Sequence, residues 1–142
     1  MRFMMIVKAS KESEAGVMPS EALLAAMGKF NEAMVTAGIM LSGDGLQSSA
    51  KGARVRFSKG KRSVIEGPFP ETSQLIAGYW MIQVKSKAEA MEWAMRCPAP
   101  QEGGEGEIEL RQVFELEDFG ASEAVEHHRE LQDKLAKQQA RK

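Results

Sequence analysis

Apolar residues recur along this chain with two different periods. Met1 to Val7 (MRFMMIV) is apolar on both faces, as a central strand would be. From Glu21 the period lengthens: Leu23, Met27, Phe30, Met34 and Ala37 recur at spacings of four and three, the stripe of an amphipathic helix. Ser20 supplies its N-cap, and Gly38 fits the left-handed position just past its end. Ile39 to Leu41 predicts a short strand running into SGDGLQSSAKG, a glycine- and serine-rich turn segment. ARVRF (53–57) alternates strictly, with Ala53, Val55 and Phe57 on one face and Arg54 and Arg56 on the other. With SKGKR as the turn and SVIE as the return, it predicts a hairpin whose arginine face is solvated.

The stretch IEGPFPETSQ (65–74) is a rigid corner, because Pro68 fixes one backbone angle beside Gly67. A strand is expected from about Ile76 to Val84. Ser86 with Glu89 forms a capping box opening a helix to about Arg96, with Ala88, Met91, Ala94 and Met95 as its inner stripe and Pro98 as its stop. A strand from about Glu107 to Leu116 places Ile108, Leu110, Phe114 and Leu116 on one side. The tail from Ala121 is polar and helix-forming, with a narrow stripe of Val125, Leu131 and Leu135. Two β-α-β units around an antiparallel sheet make a ferredoxin-like α+β sandwich with an inserted β-hairpin and a C-terminal helix. The expected division is a domain over 1–120 and a helical extension over 121–142, docked or swapped rather than core. Two helices cover one sheet face, so the other is expected to pack against that of a second copy, giving a homodimer.

Composition narrows the function classes. The 142 residues suit one domain, and 43% hydrophobic with 27% charged residues is the ordinary balance of a globular protein. A net charge of −1 offers no overall basic field, so no nucleic-acid partner and no membrane partner are expected. The opening apolar run is too short for a signal-peptide core or a bilayer span and reads as a first strand. Cys97 is the single cysteine, so no intrachain disulfide is possible and a reducing cytoplasm is the expected location. Beside Pro98 at a helix end it reads as an inert buried thiol. His127 and His128 are adjacent on a helix with rings about 100° apart, so no metal site is expected. GDGLQSS lacks the third glycine of a dinucleotide loop, and SSAK lies in a loop rather than on a helix, so no cofactor is expected. The ten methionines read as filler of helix and strand interiors.

IEGPFPETSQLIAGYWMIQV, then AMEWAMRCP, then EIELRQVFEL, resembles the YCII-related proteins of the DGPF type, and AGIMLSGDGLQ is similar to their second-strand region. The resemblance covers residues 1 to 117 and leaves out the tail. It implies a protomer of the dimeric α+β barrel type, with dimers made sheet to sheet. The aspartate of the family's DGPF turn is Glu66 here. A bond from this side chain to its own backbone tolerates the extra methylene poorly, whereas an acid facing a cavity tolerates it.

Candidate chemistry centres on Glu66 and Asp44 as a catalytic acid and base, since two convergent carboxylates push their pKa values apart. Each has a plainer reading: Glu66 as a solvated corner residue, and Asp44, between Gly43 and Gly45, as part of a turn. Phe69, Glu71, Tyr79 and Arg111 complete the candidate binding set. Phe69 is held by the proline corner. Glu71 suits a helix-capping role. Tyr79 and Trp80 fall on opposite strand faces, so one of them alone can line a sheet-face site. Arg111 could grip a carboxylate or form cross-strand ion pairs with neighbouring glutamates. Two functions follow. One is a small polar organic molecule bound in a pocket between sheet and helices, with carboxylate acid–base chemistry. The other is a non-catalytic dimeric module for regulation or protein interaction.

Overall fold

The computed structural model describes residues 1–141. The elements run β1 (Arg2–Lys8), α1 (Lys11–Glu14), α2 (Glu21–Thr36), β2 (Met40–Gly45), β3 (Ala53–Ser58), β4 (Lys61–Glu66), β5 (Ile76–Gln83), α3 (Lys87–Arg96), β6 (Ile108–Gln112) and α4 (Glu123–Ala140). Four strands form one antiparallel sheet in the order β2-β5-β1-β6, and β3 and β4 form a separate two-stranded sheet. The unit β1-α2-β2 straddles β5, and β5-α3-β6 straddles β1, which is the ferredoxin-like α+β arrangement with a hairpin inserted after β2. The chain divides into two compact units, Met1–Gln112 and Val113–Lys142. The second carries α4, whose buried residue is Val125.

Helix α2 begins where the Ser20 hydroxyl accepts a hydrogen bond from the Leu23 N–H (3.1 Å), and it ends just before Gly38 at φ 71°. The Ser86 hydroxyl caps α3 by accepting from the Glu89 N–H (3.1 Å). The Glu89 carboxylate reaches past the cap residue to the Lys85 N–H (2.8 Å), a variant of the expected box. One cluster fills the layer between sheet and helices: Phe3, Met5, Phe30, Met34, Ile39, Trp80, Ile82, Val84, Ala90 and Trp93. Trp80 is its pivot. Its ring meets Phe30 edge-on at 5.4 Å, and its Nε1–H donates to the Asn31 Oδ1 at 2.7 Å.

Four expectations change on folding. SGDG is strand rather than turn: Gly43 and Asp44 pair with Trp80 and Tyr79 across β2–β5. A Cβ at Gly43 would lie 2.5 Å from the Trp80 Cδ1, so this glycine is there for the indole and not for a turn. On α3 the buried residues are Ala90 and Trp93, with Cys97 packed behind them, while Met91 and Met95 are 46% and 86% exposed. The tryptophan has the largest apolar surface to hide, and turning it inward carries the methionine stripe to solvent. Met1 and Met18 are exposed too, so the methionines are not uniformly interior. Finally, β6 stops at Gln112, because its partner β1 offers Phe3 there and only Arg2 beyond it. Phe114 therefore lies outside the strand, 69% exposed.

Exchanging α3 side chains checks this orientation. Trp93→Ala should cost about 3–5 kcal/mol in denaturant unfolding and Met95→Ala less than about 0.5. Equal losses would mean that the helix presents its methionines inward.

Candidate functional site

Trp80 on the helix side fixes what the opposite sheet face carries, since neighbours along a strand alternate. The register places Asp44 beside Tyr79, Tyr79 beside Ile6, and Ile6 beside Glu109. The next row on that face runs Ser42, Met81, Met4, Arg111. The centre is apolar and half-buried, and the two edges are polar. Across β2–β5 the Tyr79 hydroxyl donates to the Asp44 Oδ2 at 3.3 Å. At the β6 edge Arg111 pairs with Glu109 of its own strand, two residues away, at 3.5 Å. The expected cross-strand pairing of Arg111 is replaced by this same-strand contact, because residues two apart share a face.

The other candidates gather elsewhere. Glu66 ends β4 on the hairpin, exposed, opposite Ala53. Among the described residues no hydrogen bond joins it to Asp44, which belongs to the other sheet. The corner after it is tied down by Ser49. The Phe69 N–H donates to the Ser49 Oγ at 2.9 Å, and both the hydroxyl and the N–H of Ser49 donate to the Glu14 carboxylate, the N–H at 3.0 Å. Gly67 lies so close to Ser49 that a Cβ would overlap its carbonyl oxygen.

Phe69 supports an arginine. The Arg54 guanidinium lies 3.8 Å above its ring and pairs with the Glu71 carboxylate at 3.4 Å. Glu71 occupies the N-cap position of the short 3₁₀ turn Thr72–Gln74, but its side chain makes no cap bond there. The expected capping role thus gives way to the ion pair. The expected solvation of the hairpin's arginine face is likewise reversed at Arg54, which is held by ring and carboxylate. Arg56 on the same face is exposed as expected, and the opposite face, with Val55, Phe57 and Val64, lies open too. The chain thereby arranges two polar sites: an Asp44–Tyr79 pair on a broad sheet face, and an Arg54–Phe69–Glu71 cluster at the corner.

A pocket between sheet and helices was the expected binding place, but the core cluster occupies that layer. A shallow groove is lined by residues of both α2 and α3, among them Lys29, Glu32, Thr36, Trp93 and Arg96, with Arg96 stacked 4.1 Å over Trp93. Among the described residues no group of three or more His, Cys, Asp or Glu side chains could hold a metal ion, and no helix is long and apolar enough to cross a membrane. His127 and His128 are exposed. Cys97 is half-buried, and loss of solvent pushes its thiol from 9.0 up to about 11. Sequence reasoning passed over Ser49, Glu14 and Asn31. Ser49 stood within SSAK, but nothing in the sequence reveals that its partners are 20 and 35 residues away.

The family model of the YCII-related domain matches residues 1–117. No curated protein matches the chain.

Two measurements check these local assignments. Ser49→Ala leaves the Phe69 N–H and the Glu14 carboxylate without their hydroxyl partner, and should destabilise the protein by about 1–3 kcal/mol. A neutral effect would mean that the corner is held by its prolines alone. The thiol of Cys97, pushed up from 9.0 to about 11 by burial, should alkylate at pH 8 about a hundredfold more slowly in the native protein than in urea. Equal rates would remove the desolvation.

Proposed function

This chain belongs to the YCII-related family, and from that premise we propose that it binds a small polar organic molecule on the open face of its four-stranded sheet. The observation that carries this reading is the Asp44–Tyr79 hydrogen bond, set at the edge of an apolar strip formed by Ile6, Met4 and Met81. A carboxylate and a phenol side by side can accept and donate to one hydroxyl or amine, while the apolar strip covers the carbon skeleton. Asp44 is the proton acceptor in this reading, and Tyr79 orients it. Isomerisation, elimination or hydrolysis needs no more than such proton transfers. Glu66 is the second carboxylate that could serve, and it enters the site only if its hairpin meets the same ligand.

An open face needs a lid. The half-buried Met4, Ile6 and Met81 suit packing against the same face of a second copy, which would enclose the Asp44–Tyr79 pair and strengthen its electrostatics by excluding water. The homodimer is therefore part of the proposal. Its location in a reducing cytoplasm rests on the single cysteine.

Thermal-shift screening of small hydroxy, amino and keto acids on wild type, Asp44→Asn, Tyr79→Phe and Glu66→Gln tests the site. A ligand at about a hundred times its Kd adds about 2.7 kcal/mol to the wild type, and this gain should vanish in Asp44→Asn. A ligand that raises the melting temperature of wild type and Asp44→Asn equally rejects the sheet-face site. A gain lost only in Glu66→Gln moves the site to the hairpin. Separately, light scattering at tens of micromolar should give a dimer mass for wild type and a smaller mass for Met81→Glu. A wild-type dimer mass in folded Met81→Glu removes the sheet-face contact.

A further inference from the structure

Opposite charges are sorted along this chain rather than mixed. Six cations, Lys51, Arg54, Arg56, Lys59, Lys61 and Arg62, fall between Asp44 and Glu66 with no acid among them. All lie in or beside the β3–β4 hairpin. Arg54 is paired with Glu71, whereas among the described residues the other five make no ion pair. The hairpin is also apolar on one face, where Val55, Phe57 and Val64 are 53%, 65% and 68% exposed and Arg62 stands opposite Phe57, while Arg54, Arg56 and Lys61 lie on the other face and Lys59 at the turn between them.

The complement lies near the other end of the sequence. From Glu102 to Glu126 nine acids stand against one cation, Arg111. Within the second compact unit, Glu115, Glu117, Asp118, Glu123 and Glu126 precede the first lysine or arginine, Arg129, which pairs with Glu117 at 3.5 Å and Glu126 at 3.4 Å and leaves Asp118, Glu123 and Glu130 in excess. This segment also exposes apolar surface, for the Phe114 and Phe119 rings stack at 5.0 Å and are 69% and 60% exposed. A shallow groove in the same segment is lined by Ala121, Ser122, Glu123, Glu126, His127 and Glu130.

We infer that the β3–β4 hairpin of one chain docks on the acidic segment 113–130 of a second copy, cations over carboxylates and Val55, Phe57 and Val64 against Phe119 and its neighbours. Two reasons select this occupant. On the face where Arg62 stands beside Val55, Phe57 and Val64, a polyanion such as nucleic acid would match the cation but leave the exposed valines and phenylalanine in water. The chain itself carries both complements, charge and apolar surface, on one segment. Twofold symmetry then makes the contact twice, each hairpin reaching the other chain's acidic segment. Long-range attraction between the two charge blocks steers the encounter, and the apolar residues hold it. The inference concerns assembly and does not rest on the ligand reading.

Charge exchange tests it. One variant carries Arg56→Glu, Lys61→Glu and Arg62→Glu; the other carries Glu123→Lys, Glu126→Lys and Glu130→Lys. All six positions are exposed, and circular dichroism selects folded protein. In sedimentation at low salt each variant alone should self-associate at least about tenfold more weakly than wild type. Their equimolar mixture should regain wild-type affinity to within about threefold, because a mixed pair has both contacts restored. Adding salt should weaken the wild-type association. The inference is overturned by wild-type affinity in the hairpin variant, or by a mixture no tighter than its parts. A wild type that stays monomeric while binding heparin or duplex DNA also overturns it. Loss of association in Met81→Glu has no charge partner that could restore it, so the sheet-face contact is read separately.

Discussion

Burial of the Trp80 indole beneath α2 is the constraint from which the sheet's two faces follow. The ring needs room, and Gly43 across the strand pair provides it, since any side chain there would collide with the indole. It needs a partner for its N–H, which the Asn31 side chain supplies from the covering helix. With Trp80 turned to the helices, alternation turns Tyr79 the other way, and the β2–β5 register then puts Asp44 beside it. The polar pair that carries the proposed function is thus a geometric consequence of core packing. A slip of one residue in that register would move both the tryptophan and the tyrosine to the wrong faces.

The hairpin and the corner behind it follow a different logic. They lie outside the main sheet, and the corner is fixed by polar contacts rather than by burial. Ser49 is the hub: its hydroxyl accepts from the corner backbone and donates to the Glu14 carboxylate of α1, so three separate stretches of chain are fixed through one side chain. Arg54 is then pinned between Phe69 and Glu71. A planar guanidinium stacked on a ring and held by a carboxylate loses much of its freedom, which makes the corner stiff without making it part of the core. Stiffness here also presents the outer, apolar face of the hairpin in a defined way.

Net charge is a poor guide to such a molecule. The sum of −1 conceals a block of six cations and a stretch of nine acids with a single arginine. Over distances of about a Debye length, roughly 10 Å at ordinary salt, a partner responds to the local block and not to the sum. The absence of an overall basic field therefore says little about what the hairpin meets, and the segregation points to an interaction in which each block finds its opposite.

The sequence by itself determined the main strands and helices and their order, but not the short α1 (Lys11–Glu14). The period-four and period-three stripe of α2, the serines that cap α2 and α3, the glycine beyond α2 and the alternation of β3 are all local signals, and local signals are written in neighbouring residues. The ferredoxin-like architecture was legible too, because the order of strands and helices leaves few ways to cover one sheet. The tertiary structure alone decided which residue of each pair faces inward. It made a strand of the glycine-rich SGDG, because Trp80 needed a neighbour without a side chain. It turned α3 by its tryptophan and not by its methionines, because the larger apolar surface gains more from burial. It joined Asp44 to Tyr79, Ser49 to Glu14 and Arg54 to Glu71 across 35, 35 and 17 residues. Contacts at such separations depend on how elements pack, and no pattern of neighbouring residues specifies them.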